Sequence, residues 1–327
     1  MDNATLAVDA PSIAPNHPDN QTRYWVGAGL VLLSAFCFAL KGIFIKAAYQ
    51  FGIDTISLLT LRMLFSMSFY VLILLNLKRL AAVQHKTSLV ETPVPLTPRQ
   101  WFGLAGCGIT GYYFASYFNF LGLVYITAGL ERILLFTYPT FVLFLNATVL
   151  HRRITRLQWL ALGLTYAGIL IAFMGNIEST RQQNLFLGAF WVILSGLVYA
   201  VYLVGSDKLI ARVGSQRFTC YAMLAATVPT VVHCALQNGL NISHFPMQVY
   251  GLAFGMAVIS TVVPTLLIAE GIRRVGSGNA SIINSIGPVF TILLATTLLH
   301  EVFSVWQFLG TALVLGGVFL IGWWGKK

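Results

Sequence analysis

Charge is what this chain has least of. Only 9% of its 327 residues are Asp, Glu, Lys or Arg, against roughly 25% in a soluble globular domain. A fold with its whole surface in water is thereby excluded. Cysteine is sparse as well. Cys37, Cys107, Cys220 and Cys234 all lie within apolar segments, with neither zinc-ligand spacing nor the pattern of a secreted disulfide framework, and read as packing residues. A Walker loop, a His-Glu-x-x-His zinc signature and a paired acidic motif of the kind membrane phosphotransferases use are all missing. ATP hydrolysis, a metal and a cofactor are therefore not expected. The start of the chain has no apolar h-region: Met1 to Thr22 is polar and carries Pro11, Pro15 and Pro18. It reads as a flexible cytoplasmic tail (residues 1–23), not a cleavable signal.

What is present is apolar sequence, 57% of the chain, with a mean hydropathy of +0.78. Hydropathy predicts an all-α membrane protein with ten transmembrane helices, near 25–49, 56–77, 101–122, 129–149, 157–175, 186–206, 217–236, 248–269, 279–299 and 304–324. The longest loop, Lys78 to Gln100, is polar and holds Pro93, Pro95 and Pro98. The net charge of +10 does not point to nucleic acid, because the cations stand in short clusters between apolar segments. With the N-terminus in the cytoplasm, fifteen Lys and Arg fall in inside segments and only Arg181 in an outside loop. That bias predicts cytoplasmic termini and a multi-pass protein of a bacterial inner membrane.

The chain also repeats itself. Residues 106–168 overlie 255–317 without a gap at an offset of 149, matching Gly129 to Gly278, Pro139 to Pro288, His151 to His300 and Gln158 to Gln307. Two halves follow, 24–176 and 177–327. Their loops exchange charge: His151-Arg152-Arg153 is basic where His300-Glu301-Val302 is not, and Val124-Tyr125 is neutral where Arg273-Arg274 is basic. Five helices per half place equivalent loops on opposite faces, so the swap predicts inverted repeats, the ground plan of a transporter whose site lies between the halves.

Lys46 late in helix 1, Arg62 early in helix 2, and a proline thirteen residues before a charged helix end (Pro139 to Arg152, Pro288 to Glu301) resemble the drug/metabolite transporter superfamily, specifically its EamA-type members. The family usually has Glu at the closing position; Glu301 fits and Arg152 does not. The resemblance spans roughly residues 25 to 324. It implies ten helices in two inverted repeats around a cavity lined by helices 1, 3, 4, 6, 8 and 9, with helices 5 and 10 peripheral. It also implies small organic substrates, amino acids among them, which many members export.

Polar stripes mark the candidate substrate pathway. Ser34, Phe38 and Lys41 share one face of helix 1, and an offset of 161 maps them onto Ser195, Tyr199 and Tyr202 of helix 6. Tyr112, Ser116 and Asn119 share a face of helix 3, answered by Thr261 and Thr265 of helix 8; helix 9 adds Ser277, Ser281 and Asn284. Such faces should look away from lipid, whether they line a pathway or only join helices. Intramembrane charge forms a second set, Lys41, Lys46, Arg62, Glu131 and Arg132, whose repeat partners are Tyr202, Asp207, Met223, Ala280 and Ser281, so the cluster belongs to one half. Lys46 is close enough to its helix end to reach water. Glu131 and Arg132 point about 100° apart, so Glu131 is expected to reach Lys41 or Arg62, as a static ion pair, a gate or a proton-sensitive site. Pro139 and Pro288 are the hinge candidates, and Pro229 and Pro264 the other mid-helix prolines. Small residues at Gly163, Ala167, Gly310, Gly316 and Gly317 suit close packing within the chain, with a homodimer face as the lesser alternative. The partners expected are a small-molecule substrate and the lipid bilayer. The leading function is a secondary transporter for a small polar metabolite, and the competing one a membrane-embedded enzyme acting on a lipid-linked metabolite. A passive channel ranks third, for want of a ring of like residues from a multimeric pore.

Overall fold

The computed structural model describes residues 18–85, 96–149, 155–177, 184–275, 280, 283–284 and 286–324. Helix is the only regular structure among them. In chain order the helices are α1 (Pro18–Tyr49), α2 (Thr55–His85), α3 (Pro98–Gly108), α4 (Ala115–Tyr125), α5 (Ala128–Leu135), α6 (Tyr138–Val149), α7 (Arg156–Ile177), α8 (Leu185–Val213), α9 (Ser215–Asn238), α10 (Met247–Ala257), α11 (Val263–Val275), α12 (Gly287–Leu298) and α13 (Val305–Trp324). Among the described residues six helical stretches are long and apolar enough to cross a membrane: Gln21–Tyr49, Thr55–Leu77, Ala128–Thr148, Leu185–Ser206, Ser215–Asn238 and Met247–Ile272.

The surface is that of a protein in lipid. Trp25, Leu72, Phe102, Phe186, Leu236 and Leu293 are exposed, whereas Ser34, Thr60, Ser66, Asn119 and Glu131 are buried. A water-soluble fold reverses that distribution. Helix α1 opens at Pro18, where a missing N–H costs nothing, so the end of the segment read as a tail is helical; residues 1–17 lie outside the described residues. Helix α2 runs on to His85 through the helix-favouring Leu80, Ala81 and Ala82, well into the segment read as a loop.

Two helices are rewound at matching places. A π-helical turn at Ile109–Phe114 joins α3 to α4, and another at Val258–Val262 joins α10 to α11, at the repeat offset of 149. Pro264 explains part of the second: it has no N–H to offer the carbonyl four residues back, and the Val263 N–H reaches the Val258 carbonyl. The first turn has Ala115 in that place and rewinds all the same, its N–H on the Thr110 carbonyl. Proline alone is therefore not the cause.

A further pair of helices expected to be continuous is broken. Helix 4 stops at Leu135, turns through Phe136 and Thr137, and resumes at Tyr138; α12 starts at Gly287, the repeat equivalent of Tyr138. Pro139 and Pro288 thus occupy first turns of new helices, where a proline fits without bending anything, and not the kinked mid-helix positions expected for them.

Contacts between the halves come in mirrored pairs. The Ser34 hydroxyl of α1 donates to the Pro264 carbonyl of α11 at 2.9 Å, and its counterpart Ser195 of α8 donates to the Ala115 carbonyl of α4 at 2.7 Å. Gly271 abuts Val31 and the Gly27 carbonyl just as Gly122 abuts Val192 and the Gly188 carbonyl. The equivalent helices α7 and α13 cross in antiparallel fashion: Gly168 meets the Gly310 carbonyl, and Gly317 meets Ala161 and Thr165. Helices 5 and 10, expected at the periphery, hold each other. Gly168, not Gly163 or Ala167, makes the contact; a Cβ on Gly163 or Gly316 would meet nothing within 4 Å. Gly168, Gly310 and Gly317 serve packing within the chain.

Candidate functional site

The ends of α1 and α9 and the start of α2 define one face of the bundle. Asp54 there caps α2 through the Ser57 N–H (3.1 Å) and accepts from the Asn238 amide at 3.0 Å. On this face a cavity of about 790 Å³ opens, lined among others by Lys46, Tyr49, Asp54, Tyr117, Tyr125 and Glu301. A separate small pocket of about 10 Å³ lies between Tyr70, Thr219 and Thr265, near Ser215 where α9 begins. Lys46 donates to the Leu123 carbonyl at 3.1 Å and Tyr49 to the Phe120 carbonyl at 2.9 Å, so both hold the C-terminal end of α4, where a cation suits the helix dipole.

Charged and polar groups lie within the bundle. Glu131 is 2% exposed and accepts a short hydrogen bond from the Asn119 amide. Gly42 lets α5 approach α1, since a Cβ there would lie 3.4 Å from Ala128 and 3.8 Å from the Glu131 carboxylate. Lys41 lies within electrostatic range of Glu131, Arg132 and Arg62. Arg62, 5% exposed, donates to the Ser116 hydroxyl at 3.1 Å and stands over the Phe120 ring at 5.2 Å. Arg132 stands over Phe136 at 5.9 Å, its Nη2 against Gly287 of the other half. The expected contact from Glu131 to Lys41 or Arg62 does not form. Asn119 sits one turn beyond Ser116 on α4 and meets Glu131 first, while Ser116 takes Arg62.

The arrangement carries three cations against one carboxylate, and several of its atoms have no partner. Arg62 Nε, Asn119 Oδ1, Arg132 Nε, the Thr137 hydroxyl at the helix 4 break and Asn284 Oδ1 are all buried without a hydrogen bond. Buried polar atoms are rarely left so, and unpaired ones point to water or a ligand.

The remaining predicted residues divide. Tyr112 and Tyr202 share a hydrogen bond at 3.0 Å; Tyr199 stacks on Tyr202, and Tyr138 meets Tyr199 edge-on. This cluster closes the bundle toward the Ser215 face, with Gly111 pressed so near the Tyr202 ring that a Cβ would collide at 2.4 Å. Thr265 bonds the Val262 carbonyl and the Tyr70 hydroxyl (2.7 and 3.4 Å), and Thr261 the Met256 carbonyl. Ser34 and Ser195 spend their protons on the helix–helix bonds above. Phe38 is half-buried on α1. Ser277, Ser281 and Arg152 lie outside the described residues.

Sequence reasoning missed Glu301 as a site residue. From the link between α12 and α13 its carboxylate accepts from the Ala128 N–H at 2.9 Å and the Gly129 N–H at 3.3 Å. The signal was its place in the proline-to-charge pattern; where the side chain goes depends on the fold.

A helical membrane bundle of two cross-braced halves, with buried charge beneath a cavity open on one face, is the architecture of a membrane transporter. The chain belongs to the EamA-like transporter family, whose profile matches residues 25–174 and 186–323. It is 32% identical over 302 residues to the "Uncharacterized transporter YcbK" of Bacillus subtilis (strain 168), covering 90% of this chain and 91% of that one. A "Probable terminal-alkyne amino-acid exporter" of Streptantibioticus cattleyicolor is 26% identical over 234 residues, 67% of this chain and 72% of its own. Among solved structures, one crystal structure shares the fold at a TM-score of 0.58 and 15% identity, across 92% of this chain and 96% of that chain.

Proposed function

We propose that this protein is a secondary transporter of ten spans in two inverted five-helix repeats, moving a small polar organic metabolite across the cytoplasmic membrane by alternating access. The observation that carries the reading is the buried cationic set, with Arg62 Nε and Arg132 Nε orphaned, in a bundle whose cavity opens on the Asp54 face. A carboxylate suits Arg62, Arg132 and Lys41, and an ammonium suits Asn119 Oδ1 and Glu131, so an α-amino acid or close relative is the favoured substrate class. The name of the Streptantibioticus relative agrees with an amino acid and with export. The antiparallel pairing of α7 with α13 supports inversion of the halves, and the Lys/Arg bias supports cytoplasmic termini with the open cavity on the outer side. Glu131, Arg62 and Arg132 then gate or couple, and the matched helix breaks before Pro139 and Pro288 supply the hinges.

Purified protein in liposomes loaded with one amino acid is tested for counterflow of the same labelled amino acid, over a panel of acidic, basic, apolar and aromatic ones. Saturable counterflow, lost in Lys41→Ala and Glu131→Gln, is the expected result. Conversion of a lipid-linked metabolite into a new species, without counterflow, would replace this reading with an enzyme. Single cysteines near Arg153 and Ser304 should label from opposite sides of the bilayer.

A further inference from the structure

The first turn of α5 is the place where the halves are tied by charge. A helix leaves its first N–H groups without intrahelical acceptors, and each one here is accounted for. Ala128 and Gly129 donate to the two Glu301 oxygens, Leu130 to the Thr127 hydroxyl at 3.3 Å, and Glu131 to the Thr127 carbonyl at 3.0 Å. Two of these bonds cross from the first half to the second. A carboxylate at a helix N-terminus is held by charge-assisted bonds and by the helix dipole.

The link that carries Glu301 is shaped for this. His300 adopts a left-handed φ of +53°, and the Glu301 N–H folds back onto the Ala295 carbonyl at 3.1 Å. Two residues on, the Phe303 ring lies beneath Gly129, where any Cβ would come within 1.9 Å of it. Carboxylate and ring together clasp α5. The repeat equivalent of Glu301 is Arg152, whose guanidinium has no acceptor atom and could not serve a helix N-terminus in this way.

We infer that Glu301 is a proton-binding latch between the halves, through which the transporter of the preceding section responds to pH on the face where its cavity opens. The proton comes from water in that cavity, forms an O–H bond on one Glu301 oxygen, and returns to the same water on release. The groups facing Glu301 are Lys46 and Tyr49 of α1, Asp54 before α2, Tyr117 and Tyr125 of α4, and Glu131 of α5, with the exposed His300 beside it. Asp54 and Tyr49 are engaged with Asn238 and Phe120, which leaves Lys46 as the nearest compensating charge.

Glu301 stands outside the membrane-spanning helices. Burial raises its carboxyl above the usual carboxylate range, the Ala128 and Gly129 N–H groups and Lys46 draw it back, and Glu131 adds to the rise; the net direction is up. The clasped state thus binds the proton more tightly than a released, hydrated carboxylate does. By linkage, acid favours the clasp, and rising pH releases it as it passes the clasped-state value.

The test uses full-length protein in nanodiscs, with the four native cysteines replaced and spin labels at Val124 and Val302, either side of the clasp. The wild-type background should show a separated population that grows as pH rises above the ordinary carboxylate range. Glu301→Gln, which keeps an acceptor without a titrating proton, should show no pH response and match the acid distribution. Glu301→Asp, which keeps a carboxyl, and Glu131→Gln should both still respond. Lys46→Gln should move the midpoint to higher pH. A Glu301→Gln protein that responds as the parent does, or a parent that shows no response, would overturn the latch. Counterflow at fixed pH alongside a flat distance distribution would refute the latch alone; absent counterflow with an intact response would refute the carrier alone.

Discussion

Gly310 and Gly316 lie six residues apart on α13, and the same substitution should have opposite effects at the two. At Gly316 a Cβ meets nothing within 4 Å, so Gly316→Ala faces lipid and gains at most the helix preference of alanine, about 0.8–1.0 kcal/mol. At Gly310 the new Cβ would lie 2.4 Å from the Gly168 carbonyl oxygen and 2.6 Å from the Ala172 Cβ, against an ordinary contact of 3.4 Å or more. The nearest obstacle is backbone, so the two helices must separate by about 1 Å or bend. Overpacking of that kind costs about 1–3 kcal/mol, and the propensity gain cancels in the comparison. Gly310→Ala should therefore be less stable than Gly316→Ala by about one to two factors of ten in the unfolding equilibrium. Reversible unfolding in mixed detergent–SDS micelles measures the difference directly. Equal stability of the two variants would refute the mirrored α7–α13 crossing as the brace between the halves.

Ser34→Ala and Ser195→Ala should each cost about 0.6 kcal/mol, the mean for a helix–helix hydrogen bond in a membrane. Since the two bonds tie different helix pairs, the double variant should lose the sum within about 0.5 kcal/mol, by the same unfolding assay. Asn119→Leu removes the donor to buried Glu131 and should cost about 1–3 kcal/mol. Part of that should return when Glu131→Gln is added, because a buried neutral amide without its partner costs less than a carboxylate without its donor; no recovery would mean that Asn119 acts through packing.

Class and repeat were legible because both rest on composition and spacing. Apolar runs and the placement of Lys and Arg announce a bilayer, and the ungapped match of Gly129 to Gly278 and Gln158 to Gln307 needs no coordinates. Even a detail such as the matched caps, Thr155 with Gln158 and Ser304 with Gln307 at the same 2.9 and 3.3 Å, follows from like sequence in like context. Local steric rules, by contrast, misplaced Pro139 and Pro288. A proline is equally at home kinking a helix and starting one, and the break at Phe136–Thr137 decides between them.

Partner choice was decided elsewhere, by which distant segments meet. Glu131 had two cations to choose from on paper, Lys41 and Arg62, and took an amide, because the packing of α4 against α5 brings Asn119 within hydrogen-bond distance. Gly168 and not Gly163 meets α13, because the crossing point selects one helix face, which small-residue content does not reveal. Glu301 and Ala128 are 173 residues apart. No periodicity links them; only packing of one half against the other carries a carboxylate from the end of the chain to the first turn of α5.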